Sequence, residues 1–271
     1  MSFLLIVGCI LIGWVARRKS WLSDNKINAL NHYVIWVCLP AIALQKLPLL
    51  NLDWTLLYPA LMTWFILPVL IITILLLARA YGWNRNVIGC LLMLVCFGNT
   101  SFVGFPIIQA FFGKDALAYA VIYDQIGSFL GLAIVGNLII AWYSERESNA
   151  STISLLNLAI KVLTFPPFVA MIVALISQGW YLTSLVNQSL SLISMTLVPA
   201  TMILVGAHFN LKVERHYLTP LLWGLSLKML VLPLLAFVIF KLMQKKPFFA
   251  QLRLMEAAMP PMVTEGILVI K

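Results

Sequence analysis

The chain has 271 residues, of which 62% are hydrophobic and 10% charged, with a mean hydropathy of +1.00. Soluble domains carry about a quarter charged residues, so these values exclude a soluble enzyme, a disordered chain and a nucleic-acid binder and describe a polytopic all-α membrane protein. The formal charge of +9 lies mostly between apolar runs, where basic residues orient a chain in the bilayer.

Apolar runs predict nine membrane-spanning helices, at 3–16, 27–48, 54–78, 87–111, 116–143, 154–177, 182–207, 218–242 and 248–270. Most are about 20 residues or longer and lack period-2 alternation, which favours helices over a barrel. The first run is short of the roughly 20 residues a span needs, which leaves its start trimmed or misassigned. Its charges, Arg17, Arg18 and Lys19, follow the apolar stretch, so it reads as a span and not as a cleavable leader. Cys9, Cys38, Cys90 and Cys96 all lie in apolar stretches without CxxC or Cys/His ligand spacing, so no disulfide, metal or cofactor is expected. There is no HExxH, GxSxG or paired-Asp motif, and no catalytic activity is expected.

The fourth span holds Gly98-Asn99-Thr100-Ser101-Phe102-Val103-Gly104-Phe105-Pro106 in the middle of its apolar run, and a break is expected there. The fifth span carries Asp124 within Tyr123-Asp124-Gln125. The polar connection 144–153 follows and is read as cytoplasmic, dividing the chain into halves 1–143 and 154–271. Lys228 lies near the middle of the eighth span, and the ninth contains Met259-Pro260-Pro261-Met262-Val263-Thr264-Glu265-Gly266. Connections after odd-numbered spans hold nine basic residues against five after even ones, which places the N-terminus outside.

The halves echo each other. Leu39-Pro40-Ala41 matches Val198-Pro199-Ala200 and Trp21 matches Trp180, both at an offset of 159. Pro68 is echoed by Pro233, and Arg85-Asn86 by Lys245-Lys246. Each marker moves by five spans, an odd number, so equivalent helices run in opposite directions. That is an inverted five-helix repeat, the signature of secondary transporters. The repeat places a tenth span near 276–303, beyond Lys271, so the tenth helix is expected to be missing here.

Shifted by 160, the break in span four falls on the proline pair of span nine, so both halves contain an interrupted helix. Unwound backbone at mid-bilayer is tolerated where it lines a cavity, and half-helix N-termini offer unpaired N–H groups and a positive dipole end to an anion. Gly98, Asn99, Thr100, Ser101, Gly104, Pro106, Pro260, Pro261 and Thr264 are therefore the candidate substrate-binding residues. An intramembrane charge costs about 2.5–3.5 kcal/mol at a helix centre and needs a partner or a cavity. Asp124, Lys228 and Glu265 are the coupling or ion-pair candidates. The two carboxylates can carry a proton, while Lys228 can hold a substrate carboxylate or pair with Asp124. Arg253 and Glu256, at i and i+3, neutralise each other.

Arg17-Arg18-Lys19 with Trp21-Leu22-Ser23, Leu39-Pro40-Ala41, the Gly98 to Ile107 block, Tyr123-Asp124 and Ala257-Ala258-Met259-Pro260-Pro261 together resemble the auxin efflux carrier family of bacterial permeases, over essentially the whole chain. The resemblance implies ten helices in two inverted repeats, with helices four and nine broken and crossing. Asn99, Thr100, Ser101, Pro106, Pro260 and Pro261 would form the crossover. It also implies a homodimer in the inner (plasma) membrane that moves organic anions, such as dicarboxylates or indole-3-acetate, by an elevator-like motion. Against that pattern the tenth helix is expected to be missing, and Thr264-Glu265 stands where small neutral residues are usual. The expected function is proton- or potential-coupled transport of a small organic anion. Sodium-coupled symport, as in the similarly built bile-acid symporters, and a truncated accessory protein without transport are the alternatives.

Overall fold

The computed structural model describes residues 3–50, 57–143, 155–179, 183–209, 218–243, 251 and 254–261. Regular structure among them is helical, with one isolated bridge between Gly98 and Pro261. Helix α1 spans Phe3–Arg18. Helix α2 (Asp24–Tyr33), a π segment (Val34–Cys38) and α3 (Leu39–Lys46) form one rod. Helices α4 (Leu57–Tyr81) and α5 (Arg85–Cys96) follow, the latter capped by Asn84, whose side chain accepts from the Val87 N–H at 2.9 Å. A π segment (Thr100–Gly104) leads into α6 (Phe105–Phe112). Helix α7 (Leu117–Ile122), π segments Tyr123–Phe129 and Leu132–Gly136, and α8 (Asn137–Tyr143) make a second long rod. Helices α9 (Leu155–Leu163), α10 (Pro166–Ile176) and α11 (Ser184–His208) come next. Helix α12 (Leu218–Ser226), a π segment (Leu227–Val231) and α13 (Leu232–Met243) follow them.

Five of these rods are long and apolar enough to cross a membrane, namely Asp24–Leu49, Thr63–Tyr81, Lys114–Tyr143, Ser184–His208 and Leu218–Val238. The interrupted pair Leu156–Leu163 and Pro166–Ile176 makes a sixth. The described residues thus give a mainly helical, multi-pass membrane protein with five or six candidate spans, against nine predicted. The difference has local causes: α1 has 16 residues, span four is split into two short apolar helices, and most of span nine lies outside the described residues. Span six was read as one helix and is two. Pro166 and Pro167 lack N–H groups, and Phe165 before them is extended (φ −71°, ψ 117°), as a residue preceding proline prefers.

Three other prolines are accommodated without a break. Pro40, Pro106 and Pro233 each stand two residues beyond the end of a π segment, Val34–Cys38, Thr100–Gly104 and Leu227–Val231 respectively. A proline ring clashes with the carbonyl four residues earlier in an α-helix, and a wider turn just upstream relieves that clash.

The chain divides into two compact units. The first comprises Met1–Leu56, Thr100–Gln125 and Leu163–Leu211; the second comprises Leu57–Asn99, Ile126–Val162 and Lys212–Lys271. In the first, α1 lies along α11, while α3 packs against α10 and α11. Ile6, Val198 and Met202 form the apolar contact of the first pair. Glycines set its closeness: a Cβ on Gly13 would strike the Ile203 carbonyl, and one on Gly206 the Ile10 carbonyl. A polar seam joins the α2–α3 rod to α11, with Tyr33 Oη 2.8 Å from Thr196 Oγ1 and Ser194 Oγ 3.1 Å from Gln45 Oε1. The second unit packs Leu67, Leu70 and Ile74 of α4 against Leu91, Leu92 and Val95 of α5, with Ile139, Leu227 and Ala236 completing the core. Large apolar residues remain exposed along the rods, among them Phe65, Leu76, Leu192 and Leu234, as lipid-facing surfaces require.

Candidate functional site

In the second unit, α5 stops at Cys96 because the backbone turns extended at Phe97 (φ −116°, ψ 136°). The other partner of this break is the ninth predicted span. Its helix ends as the Ala258 N–H reaches back to the Leu254 and Met255 carbonyls and Met259 to the Glu256 carbonyl. Pro260 and Pro261 cannot donate, so no further helical bond forms. The two interrupted segments then pair through their backbones: Gly98 bridges Pro261, and the Asn99 N–H donates to the Pro260 carbonyl at 2.8 Å.

Lys228, on the π segment Leu227–Val231, lies beside this junction. It is 3% exposed, and a Cβ at Gly98 would sit 3.1 Å from its Nζ and 3.4 Å from the Met259 carbonyl oxygen. Gly98 is thus what lets an ammonium group approach the paired backbone. Glu256, 1% exposed, is buried in the same unit. Arg253, its predicted partner, lies outside the described residues, as do Thr264 and Glu265.

The Asn99–Pro260 bond can be tested by comparing two variants that both lose the Asn99 side chain. Asn99→Pro deletes the N–H and leaves the Pro260 carbonyl without its donor. A loss of about 1–3 kcal/mol in unfolding free energy is expected, measured by denaturation of the purified protein in detergent. Asn99→Ala loses the same side chain but retains the N–H, so it should be the more stable of the two by that amount.

In the first unit, Thr100 and Ser101 begin the helix that runs to Phe112, and both are buried. Both donate to Asp124 Oδ1, Ser101 at 2.6 Å, and Gln125 Nε2 donates to Asp124 Oδ2 at 2.8 Å. Asp124 is 3% exposed and Gln125 2%. The groups that hold the carboxylate are neutral, two hydroxyls and an amide. The Gln125 Oε1 atom is buried without a hydrogen-bond partner.

The predicted residues therefore fall into two groups. Gly98, Asn99, Pro260 and Pro261 meet in the second unit, with Lys228 beside them. Thr100 and Ser101 meet Asp124 in the first. The break is narrower than expected, confined to Phe97–Asn99. Gly104 closes a π segment, and Pro106 is a buried member of α6, not the residue that interrupts it. Gln125 was not among the predicted site residues. Its only signal was a second polar side chain next to Asp124 in an apolar run.

The membrane transport protein family matches residues 1–269. An uncharacterized transporter of Methanothermobacter thermautotrophicus is 25% identical over 275 residues, covering 100% of this chain and 87% of the relative. An uncharacterized transporter of Methanocaldococcus jannaschii is 24% identical over 274 residues, covering 95% and 84% of the two chains.

Proposed function

We propose that this chain, which belongs to the membrane transport protein family, is a secondary transporter that moves a small organic anion across the cytoplasmic membrane. A dicarboxylate or an auxin-like acid is the expected cargo. The observation that carries this reading is the buried Lys228 ammonium beside the paired breaks at Gly98 and Pro261. A fixed positive charge against unwound backbone suits a carboxylate, and an intramembrane ionisable residue marks a functional place. No covalent chemistry is needed; exposing the junction alternately to the two sides suffices. Proton uptake or the membrane potential supplies the driving force.

The inverted repeat belongs to the same proposal, with halves 1–143 and 154–271, the N-terminus outside and nine spans. Packing in the first unit supports it. Predicted span one (α1) lies along span seven (α11), and span six (α10) packs against span two (α3). A shift of five spans converts one pair into the other.

Counterflow in proteoliposomes tests the function. Radiolabelled malonate, succinate or indole-3-acetate is expected to exchange faster than in empty vesicles, without sodium and faster with an acidic exterior. If none of the three moves, the organic-anion reading fails; strict sodium dependence would replace proton or potential coupling with sodium symport.

A further inference from the structure

We infer that Asp124 is a resident stand-in for the substrate's carboxylate, and that its protonation frees Thr100 and Ser101 to take the incoming anion. This rests on the transporter reading above, adds a place for a carboxylate in the first unit to the one beside Lys228 in the second, and gives the coupling a residue and a mechanism. The start of the helix Thr100–Phe112 has the polarity of an anion site, with a positive dipole end and two hydroxyl donors in its first turn. In the structure that place is already taken, because both hydroxyls are spent on Asp124 Oδ1 and the Gln125 amide on Oδ2. A second carboxylate cannot share those donors while Asp124 is ionised, since two like charges at hydrogen-bond distance repel strongly.

The hydrogen-bond inventory points to the missing particle. Every donor of the cluster is directed at Asp124, whereas the Gln125 Oε1 acceptor is buried with no donor. One added proton corrects this. A proton from water converts Asp124 to the neutral acid, whose O–H can donate to Gln125 Oε1 once the amide turns. Thr100 Oγ1, Ser101 Oγ and Gln125 Nε2 are then released, three donors for one carboxylate. When the anion leaves, Asp124 gives up the proton and recovers its donors. The cycle moves one proton with each anion, so a monovalent acid crosses without net charge.

Other ionisable groups on the elements packed around the cluster have their own places. Lys46, at the end of α3, holds Asp115 at 3.2 Å; Lys114 adjoins Asp115 at the start of the rod. His208, at the end of α11, engages the Leu204 carbonyl at 2.8 Å. Tyr119 lies on α7 and Tyr123 directly precedes Asp124; α6 carries no ionisable side chain.

The test uses the full chain in proteoliposomes, with malonate, succinate and indole-3-acetate as probes. In the wild type the apparent affinity for the transported acid should fall about tenfold per pH unit wherever free Asp124 is ionised, the slope of one linked proton. Asp124→Asn, a neutral isostere, should exchange the acid at a rate near the wild type's acidic-side value. It should lose that slope and be unable to accumulate the acid against a gradient on a proton gradient. Retention of the slope by Asp124→Asn overturns the proposal, and so does a folded Asp124→Asn protein that exchanges nothing at any pH. Should the variant fail to fold, infrared difference spectra of the wild type decide. Adding the transported acid at neutral pH must raise a carboxylic-acid C=O band, and its absence overturns the proposal. If the wild type moves none of the three acids, the organic-anion reading falls separately. Asp124 is then judged by whether acidification alone produces that band.

Discussion

Lys228→Met is expected to slow counterflow of the transported acid by about 30- to 4,000-fold while the protein still folds. Truncating one partner of a buried charge pair costs about 2–5 kcal/mol, and each 1.4 kcal/mol is tenfold. Methionine nearly matches the stem of lysine, so the substitution removes the charge with little change in packed volume. Comparing its melting temperature with that of the wild type separates lost carboxylate binding from lost structure. Gly98→Ala should be milder, because its Cβ would meet the far end of a flexible side chain at 3.1 Å, which can retreat by a few tenths of an ångström. Wild-type rates in Lys228→Met would remove the ammonium from the binding step.

The second large effect concerns architecture. Gly206→Val should lower stability by more than about 3 kcal/mol, beyond the 1–3 kcal/mol usual for overpacking. The obstacle is the Ile10 main chain, which has no rotamer to change. Helices α1 and α11 must move apart, and the apolar contact of Ile6 with Val198 and Met202 goes with them. Gly13→Val should behave alike, since its obstacle is the Ile203 carbonyl. Gly8 is the control on the same helix: nothing lies within 4 Å of a Cβ placed there, so Gly8→Ala should be neutral. Yield of folded protein from detergent and the thermal midpoint measure all three; equal values for Gly8→Ala and Gly206→Val would refute the close-packed crossing.

Composition and hydropathy were enough to read a helical membrane protein, because lipid leaves the backbone few alternatives. The interruption of span four was legible too, since Gly98 and Asn99 are poor helix formers in an apolar run. Its extent was not, because a proline reads as a breaker and Pro106 is one in appearance only. The wider turn at Thr100–Gly104 absorbs it, and a turn of that kind has no residue signature of its own. The site was half legible. A carboxylate in a span had to find partners, which singled out Asp124. That its partners are Thr100 and Ser101, more than twenty positions away, depends on how the chain returns, and no local pattern records it. The structure adds to the expectation for Thr100 and Ser101 that both hydroxyls donate to Asp124.

The wide turns ahead of Pro40 and Pro233 have a consequence for the helical wheel. Each stretch fits an extra amino acid into a turn, and one position is about 100° of rotation. Whatever points at the acyl chains before Val34 is carried round to another azimuth after Cys38, and likewise across Leu227–Val231. A single 3.6-residue period cannot describe such a rod. Its lipid stripe must be phased separately above and below each widened turn, as two short helices sharing one axis.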